Sequence, residues 1–136
     1  MRADCLPMSR ILIIEDTPAN LLLTTAILEG AGHQTVSAAT AEHGLRIASS
    51  EPVDVILMDM RLPGMDGMTA TRLLKEAPRT GHIPVIALTA SAMKGDEQRM
   101  RAGGCSGYVA KPIRYQALLQ AIDAVLAQDK DSAQQN

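Results

Sequence analysis

The 136-residue chain has no Phe and no Trp, and Tyr108 and Tyr115 are its only aromatic side chains. Eight Met residues are expected to take the core space that aromatic rings would otherwise fill, rather than to build a thioether metal or cofactor site. There is no basic excess either. Thirteen Lys and Arg stand against fifteen Asp and Glu, for a formal charge of −2. A nucleic-acid binder should instead show a basic stripe or patch. No apolar run approaches the ~20 residues of a membrane span, and the leading MRADCLPMSR lacks the apolar stretch of a secretory signal. Cys5 and Cys105 share no motif spacing, which argues against a disulfide framework and for a reducing compartment. Cys105 reads as a small residue near a helix end. These absences point to a soluble, cytoplasmic protein with no nucleic-acid or membrane partner. With 46% hydrophobic and 21% charged residues, the chain has the composition and length of one globular domain.

Within that length, short apolar runs alternate with amphipathic stretches five times. The runs are residues 10–14, 34–37, 53–58, 84–88 and 107–110. Three are nearly continuous in Val, Ile and Leu, as suits strands of a parallel sheet covered on both faces. The weakest, 34–37, reads as an edge strand. Between them, helical spacing predicts helices over 20–30, 41–50, 68–76, 97–102 and 114–126. The first carries Leu21, Leu22, Ile27 and Leu28, and Gly30 and Gly32 mark its end. The second places Leu45 and Ala48 on one face, and the third stops before Pro78. Asp96 is the expected N-cap of the fourth, which Gly103 and Gly104 close. The fifth puts Leu118, Ile122 and Val125 on an inward stripe. Repeated β–α units with short connections imply a parallel sheet with helices on both faces. Residues 1–8 read as an N-terminal extension in which Met8 is an alternative start, 9–128 as the domain, and 129–136 as a polar, frayed tail.

The polar residues fall at one end of those strands. Glu15 and Asp16 follow the first run, Asp59 ends the third, Thr89 follows the fourth and Lys111 the fifth. Ligands of open parallel sheets bind at the carboxyl ends of strands, so these groups converge on one crevice. At an effective dielectric of ~20, each close pair of carboxylates repels by on the order of several kcal/mol. Lys111 supplies one compensating charge, and a divalent cation would supply the rest. Clustered oxygen ligands suit Mg²⁺, and the absence of His and Cys from the cluster disfavours zinc. His33, His43 and His82 read as ordinary solvated histidines. A carboxylate beside a divalent cation and a lysine is equipped to attack phosphorus and form an acyl phosphate. Thr89 could donate its hydroxyl to one of the transferring oxygens.

At these residues the chain resembles the response-regulator receiver (CheY-like) family. The matching segments are Ile14-Glu15-Asp16, residues 58–67 (MDMRLPGMDG), Leu88-Thr89-Ala90 and Lys111-Pro112, and the resemblance extends over roughly 10–126. Residues 92–97 (AMKGDE), Gly104-Cys105 and Lys111-Pro112-Ile113 are similar to single-domain regulators of the DivK type and to receivers of hybrid sensor kinases. The resemblance implies a flavodoxin-like, doubly wound (βα)₅ fold with strand order 2-1-3-4-5. It implies Asp59 as phosphoacceptor, with Asp16, Asp59 and the Arg61 backbone carbonyl on Mg²⁺ and Glu15 reaching it through water. Lys111 would bind the phosphoryl group, Thr89 would be the switch hydroxyl, and Tyr108 the rotating aromatic. A cis peptide is expected before Pro112. Ile113 stands where relatives often carry Phe, and Thr17-Pro18 where many carry other residues, which bears on acyl-phosphate lifetime.

The expected donor is a histidine kinase or histidine phosphotransfer protein. With no DNA-binding module in the chain, output is expected to run through a downstream protein, from a monomer or weak dimer. The moving part is expected to be residues 89–102 with Tyr108. Three rivals weigh less. A multiple-turnover phosphatase would want a second acid near Asp59, where Arg61 stands, and a cap over the site. A flavin carrier would want a phosphate loop and flanking aromatics. A degenerate receiver would have lost some of the five site residues.

Overall fold

The computed structural model describes residues 9–90 and 94–135. Five strands, β1 (Arg10–Ile14), β2 (Gln34–Ala38), β3 (Val55–Asp59), β4 (Val85–Thr89) and β5 (Gly107–Ala110), alternate with five helices. These are α1 (Pro18–Gly30), α2 (Ala41–Ser50), α3 (Gly67–Glu76), α4 (Lys94–Ala102) and α5 (Tyr115–Gln135). All strand pairs are parallel and the order is β2-β1-β3-β4-β5, the flavodoxin-like arrangement expected from the sequence.

Alternation along each strand sorts the core into two layers. Ile11, Ile13, Val55, Leu57, Ile86, Leu88 and Val109 face one side, where Leu28 of α1 and Leu118, Ile122 and Val125 of α5 close over them. Leu12, Ile14, Ile56, Met58, Val85 and Ala87 face the other, under Ala41, Ile47 and Ala48 of α2, Ala70 and Leu74 of α3, and Met100 of α4. Each fully buried Leu or Ile contributes roughly 1.5–3 kcal/mol of transfer free energy.

Several boundaries differ from the sequence reading. Val53 is buried but precedes β3; beside it the Asp54 carboxylate accepts from the Arg10 amide at 2.8 Å, and the Asp54 amide donates to the Arg10 carbonyl at 2.8 Å. β3 begins at Val55, and Asp59 is its last member, as its place at the end of the third run implied. α3 starts at Gly67, capped by the Asp66 carboxylate, which accepts from the Thr69 amide at 2.8 Å; those bonds hold the Asp66 carboxyl below its usual range. Asp96 is not an N-cap. It lies in the first turn of a helix that already begins at Lys94, and it pairs with Arg99 at 2.7 Å. α5 begins at Tyr115 rather than Arg114 and continues through the polar segment expected to fray, which holds no Pro or Gly to stop a helix. Leu22 of α1 points outward, 72% exposed, while Leu28 is buried. Among the described residues no helix is long and apolar enough to cross a membrane. The N-terminal extension with Cys5, and Ser91, Ala92 and Met93 of the expected moving part, lie outside the described residues.

Candidate functional site

The crest of the sheet is set by backbone bonds that carry the ladder one residue past each strand. Glu15 donates to the Ala38 carbonyl at 3.0 Å, Met60 to Leu88 at 3.0 Å and Lys111 to Thr89 at 2.7 Å. The side chains at these positions are therefore fixed relative to one another by the sheet itself. The Lys111–Pro112 peptide is cis, as expected.

Glu15, Asp16 and Asp59 each place a carboxylate oxygen within 4.8 Å of the others. Glu15 and Asp59 are almost wholly buried, whereas Asp16 is exposed. The Lys111 ammonium lies 3.1 Å from Asp59 Oδ2 and 3.4 Å from Glu15 Oε1. At 3.4 Å it offsets charge without aligning to donate, so Glu15 Oε1 is left buried and without a hydrogen-bond partner. The other Glu15 oxygen accepts from the Thr17 amide at 3.2 Å, and Asp59 Oδ1 accepts from the Arg61 amide at 2.9 Å. Burial pushes the Glu15 carboxyl up to about 7, reinforced by the neighbouring Asp59 carboxylate; the Thr17 amide and Lys111 pull the other way.

The structure thus brings Glu15, Asp16, Asp59 and Lys111 together. An all-carboxylate donor set, with one buried oxygen left unsatisfied, can hold a hard divalent cation. Thr89 is the buried last residue of β4, one step beyond Leu88, which is the partner of Asp59 in the ladder. Alternation sets Thr89 on the side of Ala87 and Tyr108, and half-buried Tyr108 packs against the layer under α2, α3 and α4. The sequence reading assigned Asp16 to Mg²⁺ directly and Glu15 through water, and in the fold Glu15 is the one of the two that faces Lys111. It also missed the two backbone amides, from Thr17 and Arg61, that hold the acidic side chains; no side-chain pattern signals them. His33 departs from a solvated histidine. It is half-buried, with a buried Nδ1 that has no hydrogen-bond partner, whereas His43 and His82 are exposed. Cys105 is buried just past α4, and burial raises its thiol pKa.

A five-stranded parallel sheet with an acid cluster and a lysine at its carboxyl crest defines a class, and the comparisons agree with it. Residues 11–123 match the model of the response regulator receiver domain, and the chain belongs to that family. It is 40% identical over 116 residues to the polar-differentiation response regulator DivK of Brucella ovis, covering 85% of this chain and 94% of that protein. Among solved structures, the CheY-like receiver domain protein of Methanospirillum hungatei superposes with a TM-score of 0.84 at 28% identity, covering 93% of this chain and 99% of that one. The receiver domain of a sensor histidine kinase of Pseudomonas aeruginosa, solved with magnesium coordinated in its active-site cleft, gives 0.76 at 35% identity over 84% and 93%.

Proposed function

We propose that this chain is a Mg²⁺-dependent phosphoacceptor of a two-component phosphorelay, modified on Asp59 by a phosphohistidine of a histidine kinase or histidine phosphotransfer protein. The observation that carries the reading is the buried Asp59 carboxylate, 3.1 Å from the Lys111 ammonium and grouped with two further carboxylates.

Glu15, Asp16, Asp59 and the Arg61 carbonyl are the residues that would hold Mg²⁺, and when bound it neutralises charge on the transferring oxygens. An Asp59 oxygen forms the new bond to phosphorus as the phosphorus–nitrogen bond of the donor breaks, and the electron pair leaves with the imidazole. Lys111, already directed at Asp59 Oδ2, stabilises the phosphoryl oxygens. The Arg61 amide keeps the carboxylate in place from the opposite oxygen. The chain undergoes its own modification and hydrolysis and is not a multiple-turnover enzyme.

Output follows from a shift between two states. The Thr89 hydroxyl moves toward the phosphoryl group, Tyr108 turns into the space it leaves, and the surface formed by α4, β5 and the start of α5 changes shape for a downstream protein. The protein acts in the cytoplasm as a monomer or weak dimer.

Incubation with Mg²⁺ and acetyl phosphate should add one phosphoryl group to the intact mass, and Asp59→Asn should abolish the addition. No addition from any donor would leave a receiver that binds partners without being phosphorylated. Amide exchange across α4 should change when a phosphoryl mimic is bound; unchanged protection would overturn the switch.

A further inference from the structure

On the reading of Asp59 as acceptor, we propose that Gly67 is a positioning residue for that reaction: its lack of a side chain lets α3 rest directly on the peptide bond that follows Asp59. A Cβ at Gly67 would stand 2.5 Å from the Asp59 carbonyl oxygen and 2.8 Å from Met60 Cα, closer than real Cβ atoms come. It would also lie 2.8 Å from the Met60 terminal methyl, but that group is flexible and the first two are backbone. Gly67 is not among the glycines with positive φ, so the demand is for space and not for an unusual backbone conformation.

Neither side can step back at low cost. On the α3 side, the Gly67 amide donates to the Met60 carbonyl at 3.4 Å, and the Gly67 carbonyl accepts from the buried Thr71 hydroxyl at 2.8 Å. The Asp66 carboxylate holds the same turn through the Thr69 amide. On the other side, the Met60 amide is tied to β4 through the Leu88 carbonyl, and the Arg61 amide holds Asp59 Oδ1. An added methyl group must therefore move the segment carrying Asp59 and Arg61, or break one of these bonds. A small displacement at an acceptor carboxylate is costly for metal binding and in-line transfer.

The full chain serves for the test, with Mg²⁺ affinity measured calorimetrically and Asp59 modification by acetyl phosphate followed by intact mass. Gly67→Ala is expected to weaken Mg²⁺ binding and slow modification at least ten-fold each. Gly81→Ala is the control: its Cβ would meet backbone too, 2.9 Å from the Lys75 carbonyl oxygen, but in the α3–β4 connection away from the crest. It should lower thermal stability and leave Mg²⁺ affinity within two-fold. Adding Met60→Ala to Gly67→Ala removes the flexible contact only and should not restore either activity. Restoration by Met60→Ala, or wild-type Mg²⁺ affinity in folded Gly67→Ala, would overturn the inference while leaving the acceptor reading intact. Should Gly67→Ala fail to fold, Thr71→Val carries the test, because it frees the Gly67 carbonyl without adding bulk. It should weaken Mg²⁺ binding at least two-fold, and unchanged affinity would overturn the inference. A wild-type chain that takes up neither Mg²⁺ nor phosphoryl group would overturn the acceptor reading together with this one.

Discussion

Under α1 and α5, every buried hydrophobic side chain of the core layer is Ile, Leu or Val among the described residues, with Thr24 of α1 buried beside them. Under α2, α3 and α4 the layer is mixed: Ala38, Ala41, Ala48, Ala70 and Ala87 leave short positions, and Met58 and Met100 fill space between them. Met60, Met65 and Met68 pack against that second layer from its margin. Branched side chains have few rotamers and interlock, whereas the unbranched thioether adapts to irregular space. The five methionines among the described residues thus all gather on one side of the sheet. Tyr108 and α4 belong to the adaptable side, and Thr89 lies on it by alternation. The difference suggests a division of labour: one layer fixes the strands that carry the carboxylates, and the other can repack when the site changes charge.

The largest expected effect tests the stiffness of the first layer. Leu118 is wholly buried among branched neighbours, and Leu118→Ala should destabilise the fold by about 3–4 kcal/mol in denaturant titration. Met100→Ala on the other side should cost less, about 2 kcal/mol, because flexible thioethers can partly close the cavity. Equal costs, or the reverse order, would erase the contrast between the layers.

A second effect of somewhat smaller size belongs to neither layer but to the crest above them. The Glu15 carboxyl, ordinarily near 4.5, is raised to about 7 in the fold, so between these values the folded protein keeps a proton that the unfolded chain has released. Stability of the metal-free protein must therefore fall as pH rises through that window, by roughly 2–3 kcal/mol. Unfolding midpoints in EDTA at pH 5 and pH 7.5 measure the fall, and Glu15→Gln should flatten it. Saturating Mg²⁺ should flatten it as well, since a bound cation compensates the ionised carboxylate. A slope identical in wild type and Glu15→Gln would assign the pH dependence elsewhere and return the question to the packing of the two layers.

Much of this was legible from the sequence because two periodicities coincide with chemistry. Short apolar runs matched β1 and β5 at their observed bounds, and polar residues at or just beyond the ends of the runs located Glu15, Asp59 and Lys111 at one crest. Boundaries failed where side chains override pattern. Val53 is apolar and buried yet outside β3, beside an Asp54 whose carboxylate accepts from the Arg10 amide. Asp96 resembles a cap but serves an ion pair within the first turn of α4. The roles of Thr17 and Arg61 rest on main-chain amides, which every residue but proline carries, so residue type does not mark them. The close approach at Gly67 was equally hidden, since a glycine after Asp66 reads as a turn residue until Asp59 and α3 are seen in contact.

The finest test uses neighbours on one strand. Leu57 and Met58 are both fully buried on β3, and they point to opposite layers. The reciprocal swaps Leu57→Met and Met58→Leu conserve volume closely, so both should stay below about 1.5 kcal/mol. Their difference is what matters. Leu57→Met places a flexible chain among interlocked Ile and Val side chains, which cannot shift to receive it, and should cost about 1 kcal/mol. Met58→Leu places a branched chain between Ile14 and Ala87, in the layer where Ala and Met leave neighbours room to move, and should fall within about 0.5 kcal/mol of wild type. The double swap should then cost about the sum, because the sheet backbone separates the two sites and they share no packing partners. Comparable costs for the two single swaps would mean that the methionines are incidental fillers, and that the side carrying Tyr108 is no more able to repack than the side beneath α5.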